Sequence, residues 1–356
     1  MKKTLWIVGI IIVLLIIVAA ASRSPKEASG EPIKIGVIAP LTGPAAIFGN
    51  SLVKGIALAQ EDLGGTRNVY EVIIEDDGTN PAQSASAAQK LITIDKVQAL
   101  ITTTSGTGNA VKSLAYEAKI PHFCVCNDTR VGDGEYNFTY LSLPQDEVHD
   151  WIVEAKKRNV RTVAILSQAH PGIDALITAL KMEVDTDPDI EMVYEERFDA
   201  TLRDFKTIIA KSKIANPDIY FLVSFPPSLE IIGQELKNAG VSNISSAAGF
   251  GMSANPSIFE GYWYTDSVIA SPSFITRFEK AFPEVRFNVR TAPQGYDTFM
   301  MLVNGFEEGE DVSNYVKKIT EYDGMVGKAT KEVGGAIFSI SSDLWVIKNG
   351  KAALLE

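Results

Sequence analysis

The chain has 356 residues, of which 46% are hydrophobic and 22% are charged. This length is too great for one ordinary core, and the composition predicts two globular domains and excludes a disordered, fibrous or multi-span membrane protein. The formal net charge of −11 argues against nucleic acid and anionic lipid surfaces as partners.

The N-terminal segment predicts export. Two lysines precede an uncharged, mostly apolar run over residues 4–22, and Ala19 and Ala21 are spaced like a signal peptidase site. The run is also close to the roughly 20 residues that span a bilayer. Residues 1–21 are therefore either a cleaved signal peptide or a retained membrane anchor, and the polar residues 22–32 form a tether. We expect a periplasmic protein, or one held on the outer face of the cytoplasmic membrane.

Past the tether, short apolar runs rich in β-formers alternate with stretches of helical periodicity. In the first half, strands are predicted at 33–39, 69–76, 97–102 and 120–126, with helices at 50–63, 81–95 and 109–119 between them. After "YNFTYLSLPQDEVHD" the alternation starts again, with strands at 161–167, 190–198, 217–224 and 243–249. Repeated βα units with nearly continuous apolar strands predict two successive parallel sheets covered by helices.

The segments that follow the predicted strands are the candidate ligand site. In parallel α/β sheets, ligands bind beyond the carboxyl ends of the strands. Here these segments include "PLTGPAAIFG", "TTSGTGN", "NDTRVGDG", "QAHPG" and "FGMSANP". Their hydroxyls and backbone N–H groups lie next to helix N-termini, which suits an anion or a polar head group.

The sequence "HFCVC" raises the questions of a metal site and of a disulfide. Cys124 and Cys126 lie on one face of a predicted strand, where a bridge between them would be strained, so no disulfide framework is expected. His122 shares that face, but a single strand cannot wrap three side chains around a tetrahedral ion, and no second cluster completes a site. We expect a buried strand and no metal.

A dinucleotide-binding fingerprint is a further alternative. Gly106 and Gly108 follow a predicted strand, and Asp128 comes twenty residues later. Val111 stands at the third glycine position, where it hinders close helix packing and the approach of a pyrophosphate. A dinucleotide-dependent enzyme is the weaker interpretation, and we expect no cofactor and no catalysis.

Several segments together resemble one family. "IKIGVIAPLTGPAAIFGNSLVKGIALAQEDL", "EDDGTNPAQSASAAQKLI", "TLRDFKTIIAKSK", "PDIYFLVSFPPSLEIIGQELKNAG" and "QGYDTFMML" are similar in order and spacing to the solute-binding proteins of branched-chain amino acid ABC importers. The resemblance implies a type I periplasmic binding protein, with two doubly wound parallel-sheet α/β lobes joined by a three-segment hinge. It implies an N-terminal lobe of 33–143 and 273–324 and a C-terminal lobe of 144–272 and 325–356. The crossings are expected near Leu143, Pro272 and Gly324.

The resemblance also implies which residues meet the solute. They lie in the cleft segments of the two lobes: Phe48, Thr104, Ser105, Gly106, Thr107, Cys126, Asn127, Asp128, Gln168, His170, Phe225 and Phe250. Phe48 is placed either over the ligand or as a staple at the helix entry.

Two departures bear on the solute. Phe250 stands where amino acid binders of the family have an acid for the ligand's ammonium, and Asp128 adds negative charge where a carboxylate would lie. A buried ammonium without an anionic partner is costly, so a standard α-amino acid is disfavoured. Phe48, Phe225 and Phe250 favour a ligand with a flat or apolar part.

The resemblance implies a monomeric, non-enzymatic receptor that binds a small polar or amphipathic solute and delivers it to ABC permease subunits. A ligand sensor, membrane-held by residues 4–22 and signalling through a partner, is the alternative that the sequence leaves open.

Overall fold

The computed structural model describes residues 31–332 and 334–356, which form two α/β lobes. The predicted export segment and most of the tether lie outside the described residues. Within the described part of the chain, no helix combines the length and apolarity that a membrane crossing requires.

The strands of the described residues form two sheets. In chain order they are β1 (Ile33–Ala39), β2 (Tyr70–Asp76), β3 (Ala99–Thr103), β4 (His122–Val125), β5 (Asn137–Ser142), β6 (Thr162–Gln168), β7 (Glu191–Phe198), β8 (Ile219–Val223), β9 (Ile244–Ala247), β10 (Trp263–Ser267), β11 (Glu321–Gly324), β12 (Gly327–Thr330), β13 (Ile337–Ile340), β14 (Ser342–Lys348) and β15 (Lys351–Leu354). The first sheet has the order β11-β12-β13-β5-β4-β3-β1-β2, and the second has the order β15-β14-β10-β9-β8-β6-β7. Parallel pairing dominates both, which confirms the predicted fold class.

Helices cover both faces of the sheets. In chain order the α-helices are α1 (Ala46–Glu61), α2 (Pro81–Lys90), α3 (Ser105–Ala118), α4 (Pro144–Lys157), α5 (Pro171–Thr186), α6 (Lys206–Ile214), α7 (Ser228–Asn238), α8 (Pro272–Ala281), α9 (Ala292–Glu308) and α10 (Val312–Lys318). A π-helical turn, Leu91–Asp95, extends α2, and single 3-10 turns lie at Thr129–Val131, Phe250–Met252 and Pro256–Phe259.

The first sheet explains why its strands are apolar on both faces. In β1, Ile35 and Val37 pack into the cluster that holds α1 and α9, whereas Ile38 packs into the opposite cluster with α2 and α3. A strand covered on both sides must be apolar at every position. The helices α1 and α9 approach closely at Gly55, where a Cβ atom would lie 1.9 Å from the carbonyl oxygen of Ala292.

The chain passes between the sheets at three neighbouring points. It leaves the first sheet after Ser142 in β5 and leaves the second sheet after Ser267 in β10. The third passage lies between Ile340 in β13 and Ser342 in β14, because β12 and β13 still belong to the first sheet. The expected third crossing near Gly324 is therefore wrong. A short β-hairpin pairs with whichever sheet edge is free, and its own residues do not specify that edge.

Some strands and helix starts were not assigned from the sequence. The strands β5 and β10 are fully buried, yet neither was assigned from the sequence. The helix α3 begins at Ser105, four residues before its predicted start, so the first turn of the helix includes part of "TTTSGTG". Small polar residues at a helix start weaken the apolar periodicity but provide capping groups.

Candidate functional site

A cavity that is partly open to solvent lies between the two lobes. Its walls come from the carboxyl ends of strands in both sheets, as expected for parallel α/β lobes. The lining residues are Phe48, Thr103, Thr104, Ser105, Val125, Cys126, Asn127, Leu141, His170, Gly172, Ile173, Leu176, Val223, Phe225, Ala248, Met252, Arg290 and Thr291.

The first lobe contributes the N-terminus of α3. Thr104 is the N-cap residue, and its side chain accepts a hydrogen bond from the backbone N–H of Thr107 at 3.3 Å. The backbone of Thr104 has a φ of +71° and a ψ of 142°, a region that residues other than glycine rarely adopt and that often marks functional sites. Ser105, the first residue of α3, is buried and lines the cavity.

The second lobe contributes the N-terminus of α5. His170 is the N-cap residue of that helix, and its Nδ1 accepts a hydrogen bond from the backbone N–H of Gly172 at 3.2 Å. Gly172 approaches the first lobe so closely that a Cβ atom on it would lie 2.9 Å from the Oγ of Ser105 and from the Oδ1 of Asn127. Two helix N-termini, one from each lobe, therefore meet at the cavity.

Aromatic rings form the apolar part of the cavity wall. The rings of Phe48 and Phe225 meet edge to face across the lobes, with centroids 5.8 Å apart. The ring of His170 meets Phe225 in the same manner at 4.9 Å. Although Phe48 belongs to α1 of the first lobe, it packs in the hydrophobic cluster of the second lobe. It both lines the cavity and bridges the lobes.

A buried charged cluster lies behind the cavity at the hinge. The guanidinium of Arg290, which lines the cavity, pairs with Glu147 through Nη2 at 2.5 Å and with Asp266 through Nε. Ser142 donates to the same Glu147 carboxylate and bonds the hydroxyl of Ser267 at 2.8 Å. The positive charge of Arg290 is thus already matched by two carboxylates of the second lobe.

Burial shifts the titration of this cluster. It raises the pKa of Glu147 and of Asp266 more than Arg290 lowers them. Burial alone would lower the pKa of Arg290, but Asp266 and Glu147 outweigh it and raise that pKa. The arginine therefore stays charged.

The structure brings together seven of the twelve predicted site residues at the cavity: Phe48, Thr104, Ser105, Cys126, Asn127, His170 and Phe225. Cys126 forms a disulfide with Cys124, so the expectation that these cysteines remain unbridged is wrong. The strand β4 ends at Val125, and the backbone N–H of Cys126 bonds the carbonyl of Cys124 at 3.0 Å. This tight turn brings the two side chains together.

The side chains of Asp128 and Thr107 form hydrogen bonds with protein groups outside the cavity. The carboxylate of Asp128 accepts two hydrogen bonds from the side chain of Arg130, at 2.8 and 2.9 Å, one from its backbone N–H at 3.1 Å, and one from Asn109 at 2.9 Å. Burial raises the pKa of Asp128, but these bonds outweigh it and hold the pKa below its usual value. The hydroxyl of Thr107 donates to the buried carboxylate of Asp77 at 2.5 Å. Neither side chain lines the cavity.

Phe250, Gln168 and Gly106 also lie outside the cavity lining. Phe250 is fully buried and stacks on Phe259 with centroids 4.4 Å apart. Gln168 accepts hydrogen bonds from the hydroxyl of Ser224 and the backbone N–H of Phe225, and so helps to position that ring. The sequence argument about the solute that rested on Phe250 and Asp128 therefore loses its basis.

The dinucleotide interpretation gains no support from the geometry of these loops. The space beside Gly108 is filled by Cys124, whose Sγ would lie 2.5 Å from an added Cβ atom. Asp128, the acid that would meet a ribose, is held by Arg130 and Asn109.

Other cavity residues were missed by the sequence analysis. Arg290 and Thr291 precede α9, far along the chain from the first-lobe strands, and Met252 and Ala248 follow β9. Nothing in the sequence distinguishes Ala248, and only the structure shows its unusual backbone, with a φ of +57°. Arg290 and Thr291 lie shortly before the motif "QGYDTFMML", which begins at Gln294 and did not indicate which residues face a ligand.

Comparison with known proteins identifies related chains. The family model described as "Periplasmic binding protein" matches residues 32–337. The leucine-, isoleucine-, valine-, threonine- and alanine-binding protein of Pseudomonas aeruginosa is 23% identical over 222 residues, which cover 60% of this chain and 59% of that protein. Leu/Ile/Val-binding protein homolog 3 of Brucella melitensis is 26% identical over 224 residues, 59% of each chain. The match thus spans about 59% of the length of these curated relatives.

Solved structures share the fold over nearly the whole chain. The substrate-binding protein LivJ of Streptococcus pneumoniae, in complex with isoleucine, has a TM-score of 0.79 at 19% identity and covers 91% of this chain and 99% of its own. A solute-binding protein of Rhodopseudomonas palustris, in complex with 4-hydroxybenzoate, has a TM-score of 0.75 at 23% identity and covers 92% and 96%. At these identities the likeness establishes the fold alone.

Proposed function

From the premise that the chain belongs to the periplasmic binding protein family, whose family model matches residues 32–337, we propose that it is an extracytoplasmic receptor for a small carboxylate with an aromatic or branched apolar body. It holds the solute between its two lobes, acts as a monomer and delivers the solute to ABC permease subunits. Closure of the lobes by hinge motion around the solute accompanies binding.

The polar end of the cavity favours an anion. The N-termini of α3 and α5 meet there from opposite lobes, and each helix end carries a partial positive charge. Three residues with hydroxyl groups, Thr104, Ser105 and Thr291, line the same cavity. A solute carboxylate would accept hydrogen bonds from these donors.

The lining residues also disfavour an ammonium group. Within the described chain, no aspartate or glutamate lines the cavity, and its one charged lining residue is Arg290. A buried ammonium would therefore lack a carboxylate partner, which is costly. The absence of an acidic residue from the lining is the main observation that favours a simple carboxylate over a standard amino acid.

The rest of the wall suits an apolar body. Phe48, Phe225, Leu176, Val223 and Met252 line the cavity. Aromatic side chains offer a large apolar area, and a planar solute can pack against a ring in an offset-stacked or edge-to-face arrangement. The Rhodopseudomonas palustris relative, solved in complex with 4-hydroxybenzoate, supports an aromatic acid. The curated relatives support the competing candidate, a branched-chain amino acid.

Calorimetry against a defined panel tests the proposal. Benzoate, 4-hydroxybenzoate, 4-methylpentanoate, leucine and isoleucine are titrated into the protein, with thermal shift as a second readout, because a ligand specific for the folded state raises its melting temperature. We expect the simple acids to bind more tightly than leucine, although 4-methylpentanoate differs from leucine only by the missing ammonium. Tighter binding of leucine would assign an amino acid receptor and overturn the carboxylate proposal.

A further inference from the structure

His170 lines the cavity, and only one of its two ring nitrogens has a hydrogen-bond partner among the described residues. Its Nδ1 accepts the hydrogen bond from the backbone N–H of Gly172 at 3.2 Å, and a backbone N–H can only donate. In the neutral ring, Nδ1 therefore carries no proton, and the proton resides on Nε2. Among the described residues, no hydrogen bond engages that Nε2.

The free donor points towards the opposite lobe. A Cβ atom built on Gly106 would lie 3.5 Å from Nε2 of His170. Gly106 belongs to the first turn of α3, the helix whose N-terminus faces the cavity. The donor of the second lobe and the N-terminus of the first-lobe helix therefore converge on one region.

Two contacts fix the orientation of the ring. The hydrogen bond from Gly172 holds one edge, and the ring of Phe225 packs against it with centroids 4.9 Å apart. Phe225 is itself positioned by the hydrogen bond from its backbone N–H to Gln168 at 3.0 Å. A donor held in place before binding loses little conformational entropy when the solute arrives.

The ring is neutral at pH 7. Burial holds the pKa of His170 down to about 4, against the opposing effects of the Asp174 and Asp128 carboxylates. Its contribution at neutral pH is therefore a directed hydrogen bond and not a full charge.

We propose that His170 is a specificity-determining residue, whose Nε2–H donates to the carboxylate of the bound solute and selects acids over uncharged analogues. This inference rests on the proposed function. It makes the second lobe a direct participant in head-group recognition, so the solute's carboxylate joins α3 of one lobe to α5 of the other.

Two substitutions separate the donor from the helix cap. In His170→Asn, the short amide can keep accepting from Gly172 but cannot reach as far as Nε2. In His170→Gln, the longer amide can place an N–H near the Nε2 position but is a poorer N-cap. If His170 acts only as a helix cap, His170→Gln should lose more affinity for the solute than His170→Asn. If His170 acts as a donor to the solute, His170→Asn should lose more affinity than His170→Gln.

The experiment measures the affinities of both variants and the unmutated protein for 4-hydroxybenzoate and 4-hydroxybenzamide by calorimetry. We expect His170→Asn to bind the acid roughly 10- to 100-fold more weakly and the amide only several-fold more weakly, because a bond to a charged acceptor is the stronger one. His170→Gln should retain most of the preference for the acid. Thermal melts verify that both variants fold.

A second measurement is independent of the ligand. Nitrogen-15 NMR of the imidazole at pH 7 should report the neutral tautomer with the proton on Nε2. The tautomer with the proton on Nδ1, an unchanged acid-to-amide ratio in His170→Asn, or equal losses in both variants would each overturn the inference. Failure of every carboxylate in the panel to bind the unmutated protein would overturn the proposed function, and this inference with it.

Discussion

At the scale of the residue, Asp297 shows how burial controls a charge. Its carboxylate accepts hydrogen bonds from the hydroxyl of Tyr140 at 2.8 Å and from the backbone N–H of Met325 at 2.9 Å. Burial outweighs both bonds and raises the pKa of Asp297 to about 7. The side chain also fills the space beside Gly324, where a Cβ atom would lie 2.1 Å from Oδ2. Asp297 thereby ties α9 to β5 and to the hairpin of β11 and β12.

The raised pKa predicts a stability that falls as pH rises. The folded protein keeps the proton of Asp297 up to about pH 7, whereas the unfolded chain releases it near pH 4. The contribution is therefore complete below pH 4 and is lost between about pH 4 and pH 7, on the order of a few kcal/mol. Urea unfolding across this window measures the free energy of unfolding of the protein and of Asp297→Asn. The value for the unmutated protein minus the value for the variant should fall as pH rises. If the free energies of unfolding of the two proteins changed with pH in parallel, the raised pKa of Asp297 would be contradicted.

At the scale of the element, the first turn of α3 is anchored to a buried carboxylate on one side and faces the cavity on the other. Thr107 donates to the buried Asp77, which also accepts from the hydroxyl of Ser84 at 2.7 Å and from the backbone N–H of Thr79 at 2.9 Å. Ser105 faces the cavity, and its two hydrogen bonds, to Asn127 and from the backbone of Asp128, are both 3.3 Å long. Two positions in the first turn of one helix, Ser105 and Thr107, therefore have separate roles.

This division predicts opposite outcomes for two similar substitutions. Thr107→Val should lower the free energy of unfolding by about 1–3 kcal/mol, because it removes a donor from a buried carboxylate. Ser105→Ala should change stability little but weaken solute binding by about 1 kcal/mol through a lost hydrogen bond. Chemical denaturation and calorimetry measure the two effects. Loss of affinity without loss of stability in Thr107→Val would show that this hydroxyl, and not the one of Ser105, meets the solute.

At the scale of the whole molecule, a strap formed by residues 285–291 connects the lobes in addition to the three crossings. Val285 and Phe287 pack in the first lobe, whereas Val289 packs against the core of the second. Arg286 of the strap donates to the carbonyls of Gly251, at 2.7 Å, and Ser253. Those carbonyls flank Met252, which lines the cavity. The strap thus holds the lobes together beside the solute.

Removal of this contact should favour the open form. Arg286→Ala loses two bonds between the lobes, and because the side chain is exposed we expect a cost of roughly 1 kcal/mol and about fivefold weaker binding of any confirmed solute. Small-angle scattering should show that the variant is less compact at subsaturating solute. Arg203→Ala is the matched control, because Arg203 donates to the carbonyls of Ala200 and Leu202 within the second lobe. Identical scattering of the free and saturated unmutated protein would contradict hinge closure.

The sequence by itself determined the two α/β lobes and the general position of the cleft. Strands buried on both faces must be continuously apolar, as in β1, and this local demand is visible in the residues themselves. The polar turns after the strands then mark the ligand edge of each sheet. Phe48, Ser105, His170 and Phe225, which the family resemblance places in the cleft segments, all line the cavity.

Only the tertiary structure decided which of these polar and aromatic side chains remain free for a solute. Asp128 stands in a cleft segment, but Arg130 and Asn109 occupy its carboxylate, and Phe250 turns into the core against Phe259. Arg290 reaches the cavity through the strap, and the third crossing follows β13 because β12 and β13 pair within the first sheet. Each outcome depends on which hydrogen-bond or packing partner the fold brings close, and the strand and helix patterns that revealed the lobes do not encode that choice.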